Sequence, residues 1–160
     1  MTTQTPFMSS WMEIEPAWID YNNHLNMGYY TVLFDRAADQ VFADFGFGPA
    51  YVAATNHTTF SAEFHLRYLR EVKLGDRLRS SFYLIDFDGK RFHTFQQLFH
   101  EDGWVSATGE GLTLHVNLDG PKVAQMPDHI MGKLSAMKSA HDTLPRPDGI
   151  GRKVAIPRRL

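Results

Sequence analysis

Cysteine is absent from the 160 residues, which excludes a disulfide framework, a thiolate zinc site and a cysteine nucleophile. No apolar run approaches the roughly 18 to 20 residues needed to cross a bilayer, and residues 1–10 lack the apolar core of a signal peptide. The formal net charge is −2, so neither nucleic acid nor a membrane surface is favoured as a partner. Together these absences predict a cytoplasmic protein.

What is present fits one folded domain. Hydrophobic residues make up 43% and charged residues 21% of the chain, which is ordinary for a globular protein of a size that supports a single core. From Pro145 onward the chain is rich in proline, glycine and arginine. We therefore predict one domain over residues 1–144 and an extended basic tail over residues 145–160.

Periodicity predicts one long helix surrounded by strands. Apolar residues recur at three- and four-residue steps between Asn26, the expected N-cap, and Gly46, the expected end, which Pro49 follows. Residues 8–15 predict a first strand, and a second helix is expected over residues 128–140. Strict alternation over residues 59–68 predicts a strand with one apolar face, which consists of Phe60, Ala62, Phe64, Leu66 and Tyr68.

Two Asp-Gly pairs, at 88–89 and 102–103, separate the apolar runs 78–87, 91–99 and 104–116 and predict hairpin turns. The order of elements is strand, long helix, then four antiparallel strands. This order predicts an α+β fold in which a curved antiparallel sheet wraps one long central helix.

The segment 20–30 carries the chemistry, since it places Asp20, His24 and three carboxamides immediately before the helix. A helix N-terminus has unpaired N–H groups and a partial positive charge, which can hold negative charge developing on an oxygen. An acid beside such a terminus is the minimum equipment for attack on an activated carbonyl.

Structural interpretations of the same residues stay open. Asp20 can simply cap a turn, His24 can fix the loop rather than act in catalysis, and Asn26 can be an N-cap, a substrate contact or both. The histidines and acids of the chain do not have the compact spacing of a metal site, so no metal or other cofactor is expected. Glu63 and His65 are expected on the polar face of one strand, where solvent, a subunit interface and a supporting role at the site are all open.

The loop Asp20-x-x-Asn23-His24-x-Asn26, followed by an aromatic pair, resembles the D-x-x-G-H-x-N loop of hot-dog acyl-CoA thioesterases of the 4-hydroxybenzoyl-CoA type. The segment 64–78 is similar to the second-strand signature of that family. A closer resemblance is to betainyl-CoA thioesterases, including the thioesterase segment fused to some L-carnitine dehydrogenases of carnitine metabolism. It rests on three segments, namely Trp18 to Asn22 with His24, Glu63 to Arg67, and Gly151 to Pro157.

The resemblance implies a hot-dog fold and hydrolysis of a short acyl-CoA, with betainyl-CoA as one candidate. It implies Asp20 as nucleophile or general base, and the backbone amide of Met27, with Gly28, as donor to the thioester oxygen. His24 and Asn26 complete the candidate catalytic set. The candidate substrate-binding residues are Trp18, Tyr21, Asn23, Tyr29, Glu63, His65 and Arg67.

One residue departs from the family loop, because Asn23 stands where glycine is common. Asparagine tolerates positive φ better than most residues, so the turn is expected to form. The family also implies a homodimer or homotetramer. The basic residues after Arg67 and in the tail are open to two interpretations, a solvated rim or contacts with the CoA phosphates. A hot-dog hydratase or dehydratase and a non-catalytic acyl-CoA-binding module are the rival functions.

Overall fold

The computed structural model describes residues 6–158, so the first five residues of the predicted domain and residues 159–160 of the predicted tail lie outside the described part. The helices are α1 (Met27–Phe45), α2 (Pro49–Thr55) and α3 (Asp128–His141). The strands are β1 (Phe7–Met8), β2 (Met12–Glu13), β3 (His57–Tyr68), β4 (Arg77–Phe87), β5 (Arg91–His100), β6 (Val105–Asn117) and β7 (Lys122–Val123).

The strands form one antiparallel sheet with the order β1-β4-β5-β6-β3, to which β2 adds on β4 and β7 on β6. Both predicted hairpins are confirmed, since β4 pairs with β5 and β5 pairs with β6 across the two Asp-Gly turns. The long helix α1 packs on the inner face of this sheet. The predicted hot-dog arrangement is therefore confirmed.

The prediction of a single first strand over residues 8–15 is wrong. The structure has the two short strands β1 and β2, which both pair with β4. Phe7 lies opposite Phe82 and Met12 lies opposite Leu78. Five steps along the N-terminal segment therefore correspond to four steps along β4. This one-residue register shift interrupts the pairing and splits the strand.

The boundaries of α1 are confirmed by its caps. The Asn26 side chain accepts a hydrogen bond from the Gly28 N–H at 3.0 Å, and Gly46 ends the helix with φ of 102°. Pro49, expected only to stop the helix, also begins α2. Proline suits the first helical position because the N–H that it lacks would have no helical partner there.

Two apolar clusters join α1 to its surroundings. The first lies around Trp18, Leu33 and Leu78 at the N-terminal end of the helix, and the second joins Val41 to α3 at its C-terminal end. Each fully buried aliphatic or aromatic side chain contributes about 1.5 to 3 kcal/mol by leaving water. The clusters hold α1 rigidly on the sheet, and with it the segment that precedes the helix.

A β-bulge corrects the predicted apolar face of β3. Phe60 lies opposite Leu114 of β6, whereas Phe64 lies opposite Gly111, and the register shifts between Ser61 and Glu63. Because opposed residues share a face and successive residues alternate, Phe60 and Phe64 lie on opposite faces of the sheet. Of these two, Phe64 lies on the face of α1, with its ring 5.6 Å from that of Phe34.

The predicted second helix is confirmed as α3, and its last residue binds the sheet, because His141 Nδ1 accepts a hydrogen bond from the Leu84 N–H at 2.9 Å. The chain then crosses to the outer face, which is the face away from α1. There the Gly151 N–H donates to the Glu110 carboxylate at 2.8 Å. The tail thus includes a turn over residues 148–151 rather than being extended throughout. None of the helices within residues 6–158 has the length and apolar character to cross a membrane.

Candidate active site

Residues 18–26 form a small hairpin that ends at the first turn of α1. Ile19 and Leu25 form a bridge, and the Asn26 N–H donates to the Trp18 carbonyl at 2.9 Å. At the tip, the Asp20 N–H donates to the His24 carbonyl at 2.9 Å. The hairpin therefore places Asp20 directly beside His24, as expected for a shared site.

The turn of this hairpin depends on Asn23, which has φ of 62°. The expectation that asparagine would take the positive φ of the family glycine is confirmed. Its backbone N–H donates to the Asp20 carbonyl at 3.0 Å, which closes the turn. Tyr21 also lies in this turn and is 94% exposed.

One oxygen of the Asp20 carboxylate is engaged by the turn. Oδ1 accepts the Asn22 N–H at 2.8 Å and the His24 N–H at 3.4 Å. Among the described residues, no hydrogen bond to Oδ2 is present. The carboxylate therefore caps the turn through Oδ1, as one interpretation expected. Its Oδ2 remains available to bind a water molecule or to attack a carbonyl carbon.

The first amides of α1 are not equivalent. The Gly28 N–H is bound by the Asn26 side chain, and the Tyr29 N–H donates to the Asn26 carbonyl at 3.0 Å. Within residues 6–158, no group accepts a hydrogen bond from the Met27 N–H. Of the two predicted donors, Met27 is thus the one that is free to bind a substrate oxygen.

Tyr30 lies at the centre of the region between the hairpin and β3. Burial, with smaller contributions from Tyr68, Glu71 and Asp20, raises the pKa of Tyr30 to about 12. Tyr68 and the two acids thus all act on the Tyr30 hydroxyl, which stays neutral near pH 7.

Tyr68 and Glu71 were not predicted from the sequence. The Tyr68 hydroxyl donates to the Met27 carbonyl at 3.2 Å, and the Leu25 N–H donates to the Val72 carbonyl at 2.7 Å. The second bond brings Glu71 next to the hairpin. A hydrogen bond from its own backbone N–H lowers the pKa of Glu71, and the His24 imidazole acts in the same direction. The only sequence signal for either residue was its position in the family strand signature.

Trp18 and Tyr29 are packed against each other. Their rings stack with centroids 5.4 Å apart, and the Arg36 guanidinium lies 4.8 Å from the centroid of the Trp18 ring. Trp18 is buried, with 5% of its surface exposed. Its ring already has a cation and an aromatic neighbour, so its main role is to fix the hairpin to α1.

The remaining predicted residues lie on the other side of the sheet. Glu63, His65 and Arg67 are opposite Leu112, Glu110 and Thr108 of β6, and these three β6 residues face away from α1. There Glu110 binds His93 Nε2 at 2.7 Å, and the Arg67 guanidinium packs against Gly149. An open cavity of about 330 Å³ lies between these side chains and the tail. Within one chain, the structure therefore does not bring this group together with Asp20.

Phe64 limits the space below the first turns of α1. A Cβ atom at Gly109 would lie 2.3 Å from Cζ of Phe64, so only glycine at that position lets the ring lie against β6. One cavity between α1 and the sheet has a volume of about 120 Å³, and Phe34, Phe64 and Thr94 are part of its lining. A second cavity, of about 540 Å³, lies between α1 and the start of β3.

Several of the predicted basic residues are engaged by neighbours. Arg77 pairs with Glu101 at 2.9 Å, Arg70 lies 4.0 Å from the Trp104 ring centroid, and Arg79 packs on Trp11. Arg152 and Lys153 of the tail are exposed. In residues 6–158, no three histidine, aspartate or glutamate side chains are grouped so that they could hold a metal ion.

Comparison with known proteins shows the family. The sequence pattern of the thioesterase-like superfamily matches residues 14–134. The betainyl-CoA thioesterase of Pseudomonas aeruginosa is 36% identical over 143 residues, which cover 89% of this chain and 90% of that protein. The L-carnitine dehydrogenase/betainyl-CoA thioesterase of Rhizobium meliloti is also 36% identical over 143 residues, but these are 29% of its length.

Two solved structures have the same architecture over nearly the whole chain. A Staphylococcus aureus protein solved in complex with CoA has a TM-score of 0.88 at 27% identity, with 96% of each chain covered. A Pseudomonas putida protein described as a putative thioesterase has a TM-score of 0.83 at 25% identity, with 96% of this chain and 99% of that chain covered. The chain belongs to the thioesterase-like superfamily. Within it, the chain is an acyl-CoA thioesterase.

Proposed function

We propose that this acyl-CoA thioesterase hydrolyses a short, cationic acyl-CoA, with betainyl-CoA as the leading candidate. One observation carries the chemistry: Asp20 is anchored through one carboxylate oxygen beside a helix whose first amide, that of Met27, has no acceptor among the described residues. The match to the Pseudomonas aeruginosa betainyl-CoA thioesterase, over 90% of its length, supports the substrate.

The charges of the site support a cationic acyl group. Asp20 and Glu71 both act electrostatically on the Tyr30 hydroxyl, and Leu25 of the Asp20 hairpin is hydrogen-bonded to Val72, next to Glu71. Two carboxylates therefore belong to the region around the start of α1. A quaternary ammonium group is attracted by these negative charges, although it has no N–H to donate in a hydrogen bond.

In the proposed mechanism, the thioester oxygen binds the Met27 N–H, so that the helix terminus holds its charge as the carbonyl carbon is attacked. Oδ2 of Asp20 either takes a proton from the attacking water or attacks the carbon itself to give an anhydride, which water then cleaves. In both routes the C–S bond breaks, CoA leaves as a thiolate, and a proton from water ends on its sulfur. His24 holds Asp20 through the backbone of the hairpin, and Asn26 caps α1.

Replacing Asp20 tests the assignment. Asp20→Asn keeps the shape of the turn and removes the charge, so we expect kcat for betainyl-CoA to fall by at least about 100-fold while the thermal unfolding transition is retained. Thiol release from CoA measures the rate. A folded variant with near-normal turnover would show that Asp20 is only a turn residue.

A single turnover in H₂¹⁸O separates the two routes. If Asp20 activates water, the label enters the acid product. If Asp20 attacks and water then cleaves the anhydride at the Asp20 carbonyl, the label enters the enzyme and the first product carries an oxygen from Asp20. Label in the enzyme therefore identifies attack by Asp20.

We also propose that two copies pair along β3. This 12-residue strand is an edge of the sheet, and among the described residues its only partner strand is β6. Phe60, Phe64 and Tyr68 are each more than a third exposed along it. A long apolar edge strand favours pairing with another strand, and the two sites would then lie near the seam. There the basic residues of one chain, such as Arg152, can serve the CoA phosphates of the other. A tetramer and a cytoplasmic location stay predictions from the sequence.

A further inference from the structure

The aromatic residues that the sequence suggested for a cationic acyl group are poorly placed for it. Trp18 is buried and already holds Arg36 and Tyr29 on its ring, and Tyr21 is almost fully exposed in the hairpin turn. A trimethylammonium group has no N–H to donate, so it is bound through aromatic faces and negative charge. The ring that performs this task has to lie beside the Met27 amide.

The length of the substrate sets how near this ring must be. In a betainyl thioester the ammonium nitrogen is separated from the carbonyl carbon by a single methylene group. If the carbonyl oxygen accepts a hydrogen bond from the Met27 N–H, the cation must therefore lie beside the first turn of α1. A ring recognises a cation within about 6 Å of its centroid, which excludes the more distant Phe34 and Phe64.

Tyr68 is an aromatic residue that contacts Met27 directly. Its hydroxyl donates to the carbonyl of Met27 itself at 3.2 Å, which fixes the ring beside the first turn. The rings of Tyr68 and Tyr30 pack edge to face, with their centroids 5.1 Å apart and their planes at 82°. Even so, 45% of Tyr68 is exposed, so this aromatic side chain is held in place and still accessible.

The surroundings of Tyr68 add to the attraction. Asp20 and Glu71 are its neighbours around the Tyr30 hydroxyl, and burial raises the pKa of Tyr68, so the phenol stays neutral. We propose that Tyr68 is the specificity-determining residue that binds the quaternary ammonium group of the acyl substrate against its ring. This inference rests on the cationic substrate proposed above.

The test compares two thioesters that differ in charge and hardly in shape, betainyl-CoA and 3,3-dimethylbutanoyl-CoA. The measured quantity is the ratio of their kcat/KM values in the wild-type enzyme and in Tyr68→Leu. Removing the ring should lower the ratio by about 3- to 30-fold, the range of a cation–π contact. Hydrolysis of the neutral thioester should change much less.

Two further variants separate recognition from structure. Tyr68→Phe keeps the ring and loses the hydrogen bond to Met27, so its ratio should stay within about 3-fold of the wild type. Tyr68→Met is a second non-aromatic variant and should behave like Tyr68→Leu. Equal loss of both activities in the non-aromatic variants, or an unchanged ratio, would overturn the role of Tyr68.

The wild-type measurement keeps the two proposals apart. A wild-type preference for betainyl-CoA with no effect of the Tyr68 variants would overturn only the assignment of the ring. A wild-type enzyme that hydrolyses the neutral thioester equally well would overturn the cationic substrate, and the role of Tyr68 with it, while the thioesterase chemistry of Asp20 would stand.

Discussion

Asn26 joins the stability of α1 to the proposed chemistry, and two substitutions should separate these roles. Its side chain binds the Gly28 N–H at 3.0 Å, one residue beyond the free Met27 amide. Asn26→Ala removes this cap and should lower the free energy of unfolding by about 1 kcal/mol. For a domain of this size, that corresponds to roughly 2 to 4 °C in Tm. The Met27 N–H is left in place, so kcat should change little.

Asn26→Asp should have the opposite effect. Aspartate caps as well as asparagine, and its charge at the helix N-terminus adds about 0.3 to 1 kcal/mol to stability. The same charge would lie roughly 5 Å from an oxyanion on the Met27 amide. At an effective dielectric constant of about 20 to 40, it would raise the barrier by about 2 to 3 kcal/mol, a loss of roughly 30- to 150-fold in kcat.

The assays are urea unfolding and thiol release at saturating substrate, with kcat followed from about pH 6 to about pH 9. Repulsion of the oxyanion persists across this range, so the loss should be the same at each pH. If Asn26→Asp is stable and fully active, the substrate oxygen does not bind at Met27. If Asn26→Ala is as stable as the wild type, the cap contributes nothing.

Two further outcomes are expected. Light scattering should give a mass of at least twice the 18.3 kDa of one chain, and an active monomer would contradict pairing along β3. Burial lowers the pKa values of His115 and His141 from the ordinary 6.5. Below about pH 6.5 the unfolded chain therefore binds more protons than the folded one, and the free energy of unfolding should decrease as the pH decreases. Urea unfolding at about pH 7.5 and pH 5.5 checks this; His141→Asn should reduce the difference, and equal stabilities would refute it.

Local signals were enough for much of the fold. Asn26 and Gly46 mark the ends of α1 because a cap and a positive φ are properties of single residues. The two Asp-Gly turns define their hairpins in the same way. Both signals act over only a few residues, so no knowledge of the partner elements was needed.

The bulge in β3 could not be predicted in this way. Phe60, Ala62 and Phe64 alternate in sequence as a regular strand would. The extra residue appears only in the pairing with β6, where Ser61 lies opposite Thr113 and Glu63 opposite Leu112. The face of Phe60 is therefore set by a strand about fifty residues away.

The candidate site also includes residues that could not be predicted from local sequence. Asp20, His24 and Met27 are close in sequence and could be predicted together from their chemistry. Glu71 joins them through the hydrogen bond between Leu25 and Val72, which bridges more than forty residues. Such contacts have no local signature, so both Glu71 and Tyr68 were missed as site residues.

The two ends of a cationic acyl-CoA carry opposite charges, and the proposed site binds them at separate places. A cationic acyl group is favoured by Asp20 and Glu71, but the same carboxylates repel the phosphates of CoA. The pantetheine arm separates the two ends, so the phosphates can bind a basic surface elsewhere, for which the exposed Arg152 and Lys153 are available. Because a thiolate leaves without prior protonation, no acid is needed at the sulfur. One anchored carboxylate and one free amide are then sufficient, and the charges around them are left to select the acyl group.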